Sequence, residues 1–116
     1  MVHGNWLLNI VAHPKGGVGA VLIRAVEPLQ GLETMKENRK TKNVHDLTSG
    51  SGKLTRVFAI TKELNGVDVT DKSPLMVIER ENEIFEVCSS HRVGVKSDLP
   101  QKLRFFIKGS RFVSEV

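Results

Sequence analysis

The stretch AVLIRAVEPLQGLETM, residues 20–35, decides how the rest of the chain is read. Its first part, Ala20-Val21-Leu22-Ile23, is dense in apolar and β-branched residues and predicts a buried strand. Pro28 and Gly31 mark its end ahead of a helix. Arg24 stands inside that apolar run. A guanidinium keeps its proton, so a buried one needs an anion, a polar network or a water-filled site. Two readings stand side by side. Either Arg24 emerges at a sheet edge or pairs with nearby Glu27, or the strand delivers a fixed positive charge to a working pocket.

Upstream, Asn5 to His13 alternate as a strand, with Trp6, Leu8, Ile10 and Ala12 on one face and Leu7, Asn9 and Val11 on the other. Pro14, Lys15, Gly16 and Gly17 supply turn chemistry, because glycine tolerates positive φ. This predicts a hairpin. With an even number of loop residues, Asn9 shares a face with Leu22, Arg24 and Val26. Asparagine is disfavoured in a strand interior, so the pairing of Asn9 with Arg24 on one side of a ribbon draws notice.

Downstream, Leu29, Leu32 and Met35 recur at helical spacing, with Glu33 and Glu37 early and Lys36, Arg39 and Lys40 late, as the helix dipole favours. Asp46 reads as the cap of a short turn through Leu47. GSGKLTRVFAI, residues 50–60, resumes a helical pattern with Leu54, Val57 and Phe58 on one face. TSGSGKLT, residues 48–55, superficially resembles a phosphate-binding loop, which requires G-x-x-x-x-G-K-S/T after a strand. Leu47 stands at the first glycine position and Leu54 at the hydroxyl position, so nucleotide hydrolysis is excluded.

Leu75 to Ile78 and Ile84 to Val87 read as strands of an exposed hairpin, and Val93 to Val95 and Leu103 to Lys108 as the last strands. Phe106, between Arg104 and Lys108, is either a core residue or a platform on which a base stacks.

The 116 residues make one domain, 1–116, long enough to bury roughly two-thirds of its unfolded surface. No apolar run is long enough for a bilayer-spanning helix, so no membrane partner is expected. A single cysteine, Cys88, cannot form an intramolecular disulfide, which fits a reducing cytosol. The four histidines are too scattered for a ligand cluster, so neither metal nor other cofactor is expected. The net charge of +4 is unevenly spread. Arg92, Lys96, Lys102, Arg104, Lys108 and Arg111 face a single Asp98 near the end, whereas residues 62–86 are acidic. A positive face suits a polyanion such as DNA or RNA; a solvated face without a partner is the competing reading.

GAVLIRAVEPLQGLETM resembles the central signature of the alkyladenine, or 3-methyladenine, DNA glycosylases of base-excision repair, A-x-L-L-R-A-x-E-P-L-E-G-L-E-x-M. LNIV at Leu8 to Val11, LTSGSGKLTRVFAI at Leu47 to Ile60, and RVGV followed by LRFFIKGSRFVS fall in that family's order. The resemblance covers the family's C-terminal half. It implies an α+β fold, with a curved, mainly antiparallel sheet, short helices and a likeness to the C-terminal domain of methionyl-tRNA formyltransferase, and with the N-terminal part of the fold missing.

The resemblance also implies roles. The partner is double-stranded DNA with damaged purines, which are flipped into a pocket where water cleaves the N-glycosidic bond. Arg24 inherits the orientation of that water and Val93 contributes a main-chain carbonyl to it. Asn9 lies under the purine edge and disfavours a 2-amino group, and Leu22 lines the pocket. Lys53 and Arg92 are expected at the DNA backbone. The family's general-base glutamate belongs to an E-T-E-A-Y block and its stacking groups are tyrosines; this sequence has neither that block nor any tyrosine. Two expectations follow: a glycosylase whose N-terminal half lies outside this sequence or on a separate partner chain, or a non-catalytic nucleic-acid-binding module; uncovered sheet also predicts self-association through exposed apolar area.

Overall fold

The computed structural model describes residues 5–41, 43–79, 85–92 and 100–113. Along the chain run β1 (Asn9–Val11), β2 (Ala20–Leu22), α1 (Leu32–Arg39), α2 (Val44–Leu47), α3 (Ser51–Val57), a 3₁₀ turn (Lys62–Leu64), β3 (Val87–Ser90) and β4 (Arg104–Ile107). The class is α+β, with short helices and antiparallel strands. The described strands form two separate two-stranded ribbons, β1–β2 and β3–β4.

The first ribbon confirms the hairpin and shortens it. Strand geometry in the predicted Asn5–His13 stretch is confined to Asn9–Val11. Its register pairs Asn9 with Leu22, Ile10 with Val21 and Val11 with Ala20. The turn closes through a 2.9 Å bond from the Gly17 amide to the Pro14 carbonyl, with Gly16 at φ +82°. Of the two glycines only Gly16 uses the left-handed region, at the turn position that demands it.

The helix predicted from Leu29 starts at Leu32, because Gly31 takes φ +75° at its N-terminus. It ends where Lys40 turns left-handed and its amide bonds to the Lys36 carbonyl. Met35, Leu47 and Val57, one from each helix, form a buried cluster with Leu32 packed against it. Leu54 and Ile60 are buried as well, whereas Phe58 stays largely exposed.

Asn43, not Asp46, caps α2: its side-chain oxygen accepts the His45 amide at 3.0 Å. Asp46 lies inside that turn and serves as an ion-pair acceptor instead. The glycine stretch opens α3 directly after α2 with no strand before it, which disposes of the phosphate-loop likeness on structural grounds as well.

Two threonines join the helices to the extended chain. Thr48 is fully buried; its hydroxyl donates to the Val26 carbonyl, and its own carbonyl accepts the Val26 amide at 3.4 Å. Thr55, also buried, donates to the Trp6 carbonyl at 2.7 Å. A buried carbonyl left without a donor is costly, so these bonds fix where the strand extensions lie on the helical layer.

Leu75 to Ile78 form no strand. The Val77 amide donates to the Val69 carbonyl at 2.7 Å, and Met76, Val77 and Ile78 are exposed. An apolar run becomes a strand only where a neighbour offers a continuous ladder and cover; here a single bond at Val77 and a half-buried Leu75 do not make one. β3 starts at Val87 rather than Ile84, which lies outside the described residues along with Val93 to Val95.

Candidate functional site

The ribbon gathers the signature residues. Bonds from Ala12 to Gly19 (3.1 Å) and from Ile23 to Leu8 (3.0 Å) alternate along it, so Asn9 and Leu22 oppose each other at a non-hydrogen-bonded position. Side chains of such a pair share a face and approach most closely. Arg24 follows Leu22 by two residues, one past the Ile23 bond that extends the ladder, and is half-buried. Asn9, Leu22 and Arg24 therefore lie along one side of the ribbon. Val26 departs from the alternation expected of it: Thr48 holds both its backbone polar groups, and it lines the helical side with Leu8.

Beside the ribbon lies a groove of about 320 Å³ whose lining includes Leu8, Val26, Glu27, Leu54, Phe58 and Leu75. Asn9, Leu22 and Arg24 do not line it. The polar face and the apolar groove are separate.

Lys53 sits in the helical layer. Its Nζ lies 2.6 Å from Asp46 Oδ1, and Arg39 Nη1 lies 3.5 Å from Asp46 Oδ2 while donating to the Asp46 carbonyl. The hydrogen bond from Lys53 is the main reason the Asp46 carboxyl is held below its ordinary range; the charges of Lys53 and Arg39 add to it against the desolvation cost. This acceptor ties α1, α2 and α3 together. Arg92, exposed, follows β3 in the other ribbon. Val93 lies outside the described residues.

Phe106 is neither fully buried nor an open platform. It pairs across the second ribbon with Cys88, and the Arg104 guanidinium lies 4.7 Å from its ring centroid. Arg104 also donates to Ser90 Oγ at 3.2 Å, so a cation held from the neighbouring strand covers one ring face. Among the described residues no group of three or more His, Cys, Asp and Glu side chains is placed to hold a metal ion.

Sequence reasoning passed over Thr48 and Thr55. The signal was present as a repeated Leu-Thr pair, 47–48 and 54–55, in which each buried leucine is followed by a hydroxyl aimed at extended backbone.

The family model for methylpurine-DNA glycosylase matches residues 1–111. The chain belongs to that family. A protein of Chlorobium phaeobacteroides, provisionally named 3-methyladenine DNA glycosylase, is 41% identical over 108 residues, covering 93% of this chain and 54% of the relative. One of Mesorhizobium japonicum with the same provisional name is 38% identical over 108 residues, 93% of this chain and 52% of the relative. A third, of Staphylococcus haemolyticus, is 36% identical over 119 residues, 100% of this chain and 58% of the relative. The chain spans about half the length of the curated relatives it matches. No helix among the described residues is long and apolar enough to cross a membrane.

Proposed function

We propose that this chain is the pocket-bearing half of a DNA glycosylase that removes alkylated purines from duplex DNA. The observation that carries the reading is the register of the first ribbon, which sets Asn9 opposite Leu22 with Arg24 two residues beyond. In the reaction, water attacks the sugar carbon, the carbon–nitrogen glycosidic bond breaks, and the bonding pair leaves with the purine. Alkylation has already placed positive charge on that ring, so no metal is needed to draw the electrons away.

Arg24 orients the water and offsets negative charge gathering on it, and the Val93 carbonyl accepts one of its hydrogens. Asn9 rejects a purine carrying a 2-amino group, and Leu22 packs against the flipped base. Lys53 and Arg92 meet the phosphates, Lys53 by exchanging Asp46 for DNA. The proton from water goes to a glutamate outside the family blocks matched here, supplied by an N-terminal half. That substrate goes with residence at the DNA, cytoplasmic and nucleoid-associated, or nuclear in a eukaryote.

A second reading, a non-catalytic nucleic-acid-binding module of the formyltransferase C-terminal kind, draws on the net charge of +4 and the basic run after Arg92. Fusing the chain to the glutamate-bearing half of a relative separates the two. Under the glycosylase reading the fusion releases 3-methyladenine and hypoxanthine from duplex DNA, and Arg24→Ala lowers the rate at least ~10²-fold. Undiminished release from the Arg24→Ala fusion refutes the role given to Arg24, and binding without release favours the module.

A further inference from the structure

We propose that a shallow depression beside α3, walled by Asn5, Trp6, Arg56 and Thr61, takes a backbone phosphate of the DNA strand, next to the one met by Lys53. Three local features build it. Gly52 puts no side chain between α3 and the extended chain: a Cβ there would stand 3.0 Å from the Asn5 Cβ, so Asn5 and Trp6 lie directly on the helix. Thr55, buried beside Arg56, holds that approach by donating to the Trp6 carbonyl at 2.7 Å. At the far end Ala59 takes φ +53°, a left-handed conformation uncommon outside glycine, and the Ile60 amide returns to the Thr55 carbonyl at 2.8 Å. The chain doubles back there and brings Thr61 into the same depression as Trp6.

The depression measures about 180 Å³, below the roughly 300–1,000 Å³ of sites that enclose a free small molecule. It suits one group of a polymer. Its walls select which group. Arg56 is exposed and makes no ion pair among the described residues, and a guanidinium grips a phosphate through two parallel hydrogen bonds. The Thr61 hydroxyl oxygen already accepts the Glu63 amide at 3.3 Å, which leaves its proton to donate. The Trp6 indole supplies a flat wall against which a sugar or base edge packs. No carboxylate stands among the described residues that line the depression. Arg56 follows Lys53 by three residues on α3, so their Cβ atoms lie about 5–6 Å apart on adjoining faces. That separation is comparable to the spacing of neighbouring phosphates on one strand. Trp6 and Asn9 are three residues apart. That is at most ~11 Å of chain, or about three base steps of duplex at ~3.4 Å each. A duplex whose lesion rests at Asn9 therefore reaches the depression.

The site depends on the reading above for where the DNA lies and not for its chemistry. The chain has one tryptophan, Trp6, and no tyrosine, so its indole emission reports on this depression. The test titrates the 116-residue chain with undamaged duplex DNA while following Trp6 emission, and in parallel follows the anisotropy of a labelled duplex against salt. The expected result is a change in Trp6 emission that saturates with binding, that high salt reverses and that inorganic phosphate at equal ionic strength does not reproduce. Arg56→Ala weakens binding about tenfold at low salt and flattens the salt slope by about one unit. Because Arg56 is exposed, that substitution leaves the circular dichroism unaltered. Arg56→Lys, which returns the charge, returns the slope.

Binding that leaves Trp6 emission unchanged overturns the inference, as do a salt slope indifferent to Arg56→Ala and an absence of binding at low salt. An equal emission change with inorganic phosphate assigns the depression to a free anion and overturns it too. Where the contact holds but fusion to the glutamate-bearing half of a relative releases no purine, the depression stands and the glycosylase reading falls. Release by the fusion with Trp6 emission unmoved by DNA removes the depression and keeps that reading.

Discussion

Thr48 and Val26 exchange hydrogen bonds in both directions, hydroxyl to carbonyl and amide to carbonyl, and so clamp the end of the Arg24 segment onto the helices. The signature carries its arginine two residues before the clamp. Thr48→Val keeps the side-chain volume but leaves the Val26 carbonyl without that donor. The expected cost is about 1–2 kcal/mol, read as a lower melting temperature with no loss of helical signal. An unchanged melting temperature would show that solvent replaces the bond.

Asp46 binds the helices through Lys53 and Arg39, and its lowered carboxyl pKa carries a sign. The contribution is fully present above the unfolded value of 3.8 and is lost as pH falls through the lower folded value. Asp46→Asn should cost about 0.5–1 kcal/mol at neutral pH, a small figure because the carboxylate is 38% exposed and screened. Denaturation between about pH 5 and pH 2 should then depend less on pH in Asp46→Asn than in the wild type. Parallel curves would dismiss the ion pair.

Binding to duplex DNA should be weak, insensitive to sequence and steeply dependent on salt, with a slope near −0.9 per phosphate neutralised. Lys53→Ala and Arg92→Ala should each flatten the slope by about one unit. Asp46→Asn, which frees Lys53 from its 2.6 Å partner, should raise affinity at low salt. Slopes unchanged in both alanine variants would take Lys53 and Arg92 out of the interface.

In the completed enzyme, Asn9→Ser should admit purines with a 2-amino group, since the shorter side chain relieves the clash at the position facing Leu22. Competition between adenine-derived and guanine-derived lesions measures this. An unaltered preference would make Asn9 a strand residue and nothing more.

What was legible in the sequence follows from how locally each element is determined. The hairpin could be read because turn chemistry at Gly16 and an apolar run at Ala20–Ile23 agree, and the register then placed Asn9 against Leu22. The helical core was legible from the spacing of Leu32, Met35, Leu54 and Val57. Leu75 to Ile78 misled because an apolar run announces burial without saying what does the burying, and Met76, Val77 and Ile78 remain exposed. The two threonine bonds span 22 and 49 residues of sequence, beyond the reach of any local pattern. Of the site, only the composition of the arginine face could be read; the Lys53–Asp46 pair depends on the packing of α2 against α3.

The measurement that bears most directly on the glycosylase reading is single-turnover release of hypoxanthine from a duplex with one lesion, run with protein in excess. The 116-residue chain alone should be silent, because Arg24 can orient water but nothing in the matched blocks takes its proton, and general-base help is worth ~10²–10⁴ in rate. Adding the glutamate-bearing half of a relative should produce release that Arg24→Ala abolishes. Release by the chain alone, or release in the mixture indifferent to Arg24→Ala, would contradict the account.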